Sequence, residues 1–292
     1  MFWRRIGLFL ITNILVLLVL GVVLSVTGLD TGISAYGLNL GALLVFSALF
    51  GFGGALISLG LSRWVAKRVF GVVVIQPNTS DPTERWLLDS VASMARSAGL
   101  PTTPEVGIYH SHEVNAFATG PSRSRSLVAV STGLLAALDR REVEGVLGHE
   151  VAHIANGDMV TMTLLQGVLN TFVIFLSRVL GFLIGRAVGG RGEGLIRLLA
   201  ILVLQVLFGI LASLVVAAFS RAREFRADAG GARLAGRDAM VGALQRLRMH
   251  SAMVDNGQPA FASMKIHGLP GWARWFSTHP PLEELIARLN QA

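Results

Sequence analysis

The 292-residue chain contains no cysteine. Disulfides, thiolate metal sites and a cysteine nucleophile are excluded, so a bound metal would have to be held by histidines and carboxylates. Charge is scarce as well: Asp, Glu, Lys and Arg make up 15% of the residues, against about a quarter in ordinary globular domains. There is no GxxxxGK[ST] phosphate loop, which excludes an ATPase within this chain. The formal net charge is +7. The Lys and Arg behind it are scattered, with no basic stripe interleaved with stacking aromatics, so nucleic acid is not an expected partner. Internal repeats and low-complexity tails are also lacking.

Apolar residues, by contrast, make up 52% of the chain and the mean hydropathy is +0.60, which points to a membrane protein. Residues 6–26 form an apolar run long enough to cross a hydrocarbon core of about 30 Å. No small-residue cleavage site accompanies the run, so it reads as a signal anchor. Residues 38–61 form a second run without a charge, in which Gly51-Phe52-Gly53-Gly54 suits close helix packing better than a nucleotide loop. Arg4 and Arg5 precede the first run, and Arg63, Lys67 and Arg68 follow the second. The positive-inside rule therefore places both ends of this hairpin in the cytoplasm. Two further apolar runs, 160–184 and 195–219, are weaker spans than the first pair and are expected to form a further membrane hairpin; a shallow re-entrant pair or two buried helices are the alternatives. The expected segments are 1–68 (transmembrane hairpin), 69–158 (first part of a catalytic domain), 159–219 (second apolar pair) and 220–292 (second part of that domain).

Between the runs the texture is that of a folded domain. Asp81-Pro82-Thr83-Glu84 is a capping-box start for a helix that Gly99 ends. Short strands are expected at 106–109, 114–119 and 127–131. A second capping box, Asp139 to Glu142, opens a helix predicted to run to about Asn156. This helix carries His149-Glu150-Val151-Ala152-His153. Residues four apart share a helical face, so both imidazoles can reach one metal ion, with Glu150 beside the water to be activated. The composition predicts roughly 0.006 chance matches to this pattern, which argues against two ordinary surface histidines.

A hydrolytic zinc needs three protein ligands and an open position. The extended metzincin pattern asks for glycine at 156 and histidine at 159, where Asn156 and Met159 stand. The third ligand is sought instead in the segment Ser220-Arg221-Ala222-Arg223-Glu224-Phe225-Arg226-Ala227-Asp228. Glu224 and Asp228 share a face there, so that one can ligate while the other accepts the distal N–H of a ligand histidine. Glu224 is the favoured ligand, with Asp158 as fallback; the plain alternative is a basic helix whose acids pair with neighbouring Arg. Two membrane crossings would return Glu224 to the side of the histidines, close to the bilayer. Asn115-Ala116-Phe117 falls in a strand-like piece that either aligns an extended substrate or is an ordinary hairpin strand. His279 either donates to a tetrahedral oxyanion or caps the structure. His110 and His112 share a strand face and suit a second metal, although loop histidines are commoner.

The combination of His149-Glu150-Val151-Ala152-His153, the 220–228 segment, Asn115-Ala116-Phe117 and Thr278-His279-Pro280-Pro281 resembles the HtpX family of bacterial membrane zinc endopeptidases, relatives of the CAAX prenyl proteases. The resemblance covers essentially the whole chain. It implies a mainly α membrane protein: an N-terminal transmembrane hairpin plus an α+β, gluzincin-type zinc peptidase domain interrupted by the second apolar pair. It also implies one zinc ion on His149, His153 and Glu224, with Glu150 as general base and Asp228 supporting a ligand. The implied function is removal of misfolded membrane proteins at the cytoplasmic face of the bacterial inner membrane, as a multi-pass protein. The expected partners are the lipid bilayer, membrane-protein substrates and a separate membrane ATPase protease. A prenyl-peptide protease and a non-catalytic zinc-binding scaffold are the competing functions.

Overall fold

The computed structural model describes residues 39–255 and 275–291. The first apolar run, 6–26, lies outside the described residues, as do Arg4, Arg5 and His267. The second run forms α1 (Leu40–Arg68), whose last turn carries Lys67 and Arg68, where cations meet the negative end of the helix dipole. The third forms α5 (Asp158–Val188), and a short 3-10 turn at Gly190–Gly192 leads into α6 (Glu193–Ala235). The 29, 31 and 43 residues of these helices, at about 1.5 Å per residue, all exceed a hydrocarbon core. Among the described residues these are the three helices long and apolar enough to cross a membrane. The fourth run and the Glu224 segment are thus one helix, not two elements.

The described chain divides into two compact units, the first containing residues up to Ser58 and Met162–Val216. Its helices approach closely through glycine. A Cβ on Gly51 would lie 2.5 Å from the Thr171 backbone nitrogen, and one on Gly167 2.5 Å from the Phe52 ring. The charges that weaken these runs as membrane spans are covered by aromatic rings: Arg178 lies 4.8 Å from the Phe46 centroid and Arg197 5.1 Å from that of Phe182. Apolar side chains such as Leu202, Val203, Val206 and Leu207 remain exposed, the surface a helix presents to lipid.

The second unit, Leu59–Thr161 with Ala217–Ala292, holds a four-stranded sheet: β1 (Val73–Val74), β2 (Glu105–Tyr109), β3 (Ala116–Ser122) and β4 (Arg125–Ser131), in the order β1-β2-β4-β3. β2 and β4 run parallel; the other two pairings are antiparallel. The expected 114–119 strand is observed as Ala116–Ser122, and Asn115 just before it donates its N–H to the Ser131 hydroxyl and accepts the Ser131 N–H on its carbonyl. Among the described residues the unit also holds five helices: α2 (Pro82–Ser97), α3 (Thr132–Ala137) and α4 (Arg140–Asn156) before α5, and α7 (Arg237–Asp255) and α8 (Leu282–Gln291) after α6. Asp81 caps α2 through the Thr83 and Glu84 amides, and Asp139 and Glu142 form a complete capping box on α4. The core joins Leu87 and Val91 of α2, Val128 and Val130 of β4, and Val143, Leu147, Val151 and Ile154 of α4. With one face buried in this core, α4 has a fixed rotation, and the opposite face carries its histidines.

Candidate metal centre

Helix α4 meets the lower part of α6 where both have small residues. A Cβ on Gly230 would lie 2.6 Å from the Ala152 Cβ, and one on Gly231 2.9 Å from the His149 nitrogen. Ala227, one turn before these glycines, is wholly buried. The crossing brings the His149–His153 face onto Glu224 and Asp228. His149 Nε2 and His153 Nε2 are 3.0 Å apart. Glu224 offers Oε2 to His149 Nε2 at 3.5 Å and Oε1 to His153 Nε2 at 3.4 Å. One ligand atom from each of the three residues lies within 4.8 Å of the others, and no other such group occurs among the described residues.

Behind the centre, each imidazole has a carboxylate. His149 Nδ1 is 2.7 Å from Asp228 Oδ1, and His153 Nδ1 is 2.6 Å from Asp158 Oδ2. A carboxylate only accepts, so each Nδ1 carries a proton, and each Nε2 is the atom turned toward the other ring and toward Glu224. Glu224 is 2% exposed, and its Oε1 is buried without a hydrogen-bond partner. A buried carboxylate oxygen without a hydrogen bond is costly. A divalent cation beside it would remove that cost, and two histidines with one glutamate form a hydrolytic-zinc donor set. These residues fit the ion.

The protonation energetics agree. Burial opposes charge on His149, but Asp228 and Glu224 outweigh it and hold the imidazole well above its usual range. His153 is raised by Asp158 and Glu224 against the same burial. Glu224, beyond the apolar part of α6, is buried too, yet His149, His153 and His279 hold its carboxyl far below the usual carboxylate range. The site is thus built for positive charge on the imidazole side, which protons or a metal ion can supply. Glu150, half-buried, makes no hydrogen bond among the described residues, and its charge helps raise both imidazoles.

The other sequence candidates are placed as follows. His279 Nδ1 lies 2.9 Å from Glu224 Oε2, so this ring contacts the glutamate directly. Arg221, which sequence reasoning did not single out, donates to the Trp275 and Ser277 carbonyls at 3.1 and 2.7 Å, tying the 275–279 segment to α6. Ala116 and Phe117 lie on β3, the sheet edge, paired with Val130 and Ala129 of β4. Phe117 contacts the rings of Tyr109 and Phe70. His110 and His112 are exposed and belong to no ligand group among the described residues. Asp158 holds His153 from behind instead of joining the three converging donors.

Comparison with known proteins gives concordant matches. The sequence model of Peptidase family M48 matches residues 81–292. A "Protease HtpX homolog" from Bacillus subtilis (strain 168) is 52% identical, over 98% of this chain and 99% of its own length. "Protease HtpX" from Shewanella oneidensis is likewise 52% identical over 98% of this chain and 99% of its own. Among solved structures, that of S. mikatae Ste24p superposes with a TM-score of 0.63 at 17% identity. The superposition covers 96% of this chain and 66% of that one, and is a likeness of fold.

Proposed function

The chain belongs to peptidase family M48, and from that premise we propose that it removes misfolded or damaged membrane proteins by hydrolysing their peptide bonds at the cytoplasmic face of the bacterial inner membrane. It is a membrane metalloprotease. Zinc is the metal we assign to it, held by His149, His153 and Glu224. The observation that carries this reading is the convergence of Nε2, Nε2 and a buried carboxylate, with each imidazole held from behind by Asp228 or Asp158.

Zinc in such a site would supply Lewis acidity and lower the pKa of a bound water toward neutrality. The chain's own residues do the rest. Glu150, whose carboxylate is uncommitted to any described partner, takes the proton of the attacking water and delivers it to the leaving amine. Strand β3, at the sheet edge among the described residues, offers its outer backbone groups to an extended peptide, with Ala116 and Phe117 as the aligning residues and Asn115 fixing the start of the strand. His279 donates Nδ1–H to Glu224, and only as an imidazolium, with a second proton on Nε2, can it also donate to a developing oxyanion. The basic residues Arg63, Lys67 and Arg68 after α1 support the cytoplasmic orientation. A zinc-binding scaffold would require the ligands but not Glu150, so that residue separates the two readings.

The test is zinc content and casein cleavage of the detergent-purified protein beside Glu150→Gln. Zinc near one per chain in both, with cleavage reduced by about 10²–10⁴-fold in the variant, is expected. Equal cleavage by both proteins would remove Glu150 from its role. Absence of zinc from both would end the metal assignment.

A further inference from the structure

We propose that Asp158, the first residue of the apolar helix α5, is a positioning residue of the metal site that acts through His153. The inference rests on the reading of His153 as a ligand and adds a residue that lies outside the ligand set. Asp158 is 1% exposed. Its Oδ2 lies 2.6 Å from His153 Nδ1, and its Oδ1 faces Arg226 Nη2 at 3.8 Å. A carboxylate at that depth is costly unless paired, and its near partner is the distal nitrogen of an imidazole.

The chain path makes the contact specific. If α4 simply continued, residue 158 would stand five positions past His153, roughly 140° around the axis and on another face. Instead α4 ends at Gly157, whose φ of 70° and ψ of 27° are left-handed and whose N–H caps the His153 and Ile154 carbonyls. A Cβ there would meet nothing within 4 Å, so glycine is required for its backbone conformation and not for space. The reversal swings Asp158 back onto the ring. Asp228 makes the matching contact to His149 from α6 at 2.7 Å. Each imidazole is therefore held by a carboxylate from a different apolar-run helix. Such a carboxylate fixes the ring plane and the Nδ1–H form and makes the opposite nitrogen a better donor to metal.

The experiment is zinc affinity, by chelator competition on the detergent-purified full chain, for wild type, Asp158→Ala, Asp158→Asn and His153→Ala, with the melting curve of each metal-free protein. Asp158→Ala should weaken zinc by about 10–100-fold. Asp158→Asn keeps the shape and an acceptor oxygen but not the charge. It should fall between Asp158→Ala and wild type with its metal-free melting curve unchanged, and it carries the test if Asp158→Ala does not fold. With cobalt as probe, Asp158→Asn should shift the visible absorption of the loaded protein, which loss of stability alone would not do. Wild-type zinc affinity in Asp158→Asn, or a lowered metal-free melting point with zinc affinity and cobalt spectrum unchanged, would overturn the proposal. Wild type without zinc, or His153→Ala binding as tightly as wild type, would instead overturn the ligand assignment beneath it.

Discussion

The two units treat buried polar groups in opposite ways. In the peptidase unit, His153, Asp158, Glu224 and Asp228 are all buried and, with His149, joined in one network. In the apolar unit, the wholly buried Ser47 returns its hydroxyl to the Leu43 carbonyl of its own helix, and the equally buried Ser177 hydroxyl has no partner among the described residues. The apolar side chains differ too. Those of the peptidase unit are packed inward around Leu87, Leu147 and Ile154, whereas α6 leaves Leu202, Val206 and Leu207 exposed. Among the described residues, buried carboxylates and imidazoles thus occur in the peptidase unit alone, in keeping with a second unit whose solvent is lipid.

Four substitutions sharpen or break this contrast. The largest effect belongs to Glu224→Ala, which should remove zinc and cleavage together; Ser177→Ala should leave both at wild-type levels. Metal analysis and casein assays on the two variants decide it, and zinc retained by Glu224→Ala would make the network structural. Next, Val206→Lys, at a 64% exposed position of α6, should cost about 2.5–3.5 kcal/mol in a translocon-insertion assay of that segment. Met249→Lys on α7, 45% exposed, should change the melting free energy by less than about 0.5 kcal/mol. Equal tolerance of both would deny the lipid environment of α6.

Close glycine contacts occur in both units but hold different things. Gly230→Leu and Gly51→Leu should each lower stability by about 1–3 kcal/mol through overpacking. Only Gly230→Leu should also weaken zinc, since its neighbour Ala152 directly precedes His153. The smallest effect concerns Glu105, which binds Arg63 and Lys67 at 2.5 and 2.8 Å. Partial burial works against its charge, but Lys67 and Arg63 prevail and hold the carboxyl below its usual range. A lowered carboxyl pKa stabilises the fold above the unfolded-state value and ceases to do so as pH falls through the folded one. Because the pair is partly exposed, Glu105→Gln should cost under about 1 kcal/mol at neutral pH. The gap from wild type should close below about pH 4, as followed by melting across pH.

What was legible in the sequence was whatever local periodicity fixes. Two histidines four apart must share a face, and the Asp139–Glu142 capping box sets where their helix begins. The strands 106–109 and 127–131 follow from composition and turn signals, and the structure extends them by one and two residues. Run lengths gave the membrane helices, though the span over 6–26 falls outside the described residues. Less legible were contacts set by a change of chain direction. Asp158 reaches His153 because Gly157 is left-handed, and sequence reasoning had kept Asp158 as a spare ligand. His279 reaches Glu224, 55 positions earlier in the chain, and Arg221 spans a similar separation. No helical or strand period links such residues.

The continuity of α6 constrains how the gene can change. Over 43 residues, about 65 Å at the usual rise, each position advances the side chains by about 100°. One codon inserted between Glu224 and Gly230 would turn the carboxylate by that angle relative to the contact that Gly230 and Gly231 make with α4. The same insertion in the Gly190–Gly192 turn would leave the phase along α6 intact. Length variation should therefore accumulate in the glycine turn and be eliminated along the helix, unless it arrives as about seven residues, close to two whole turns.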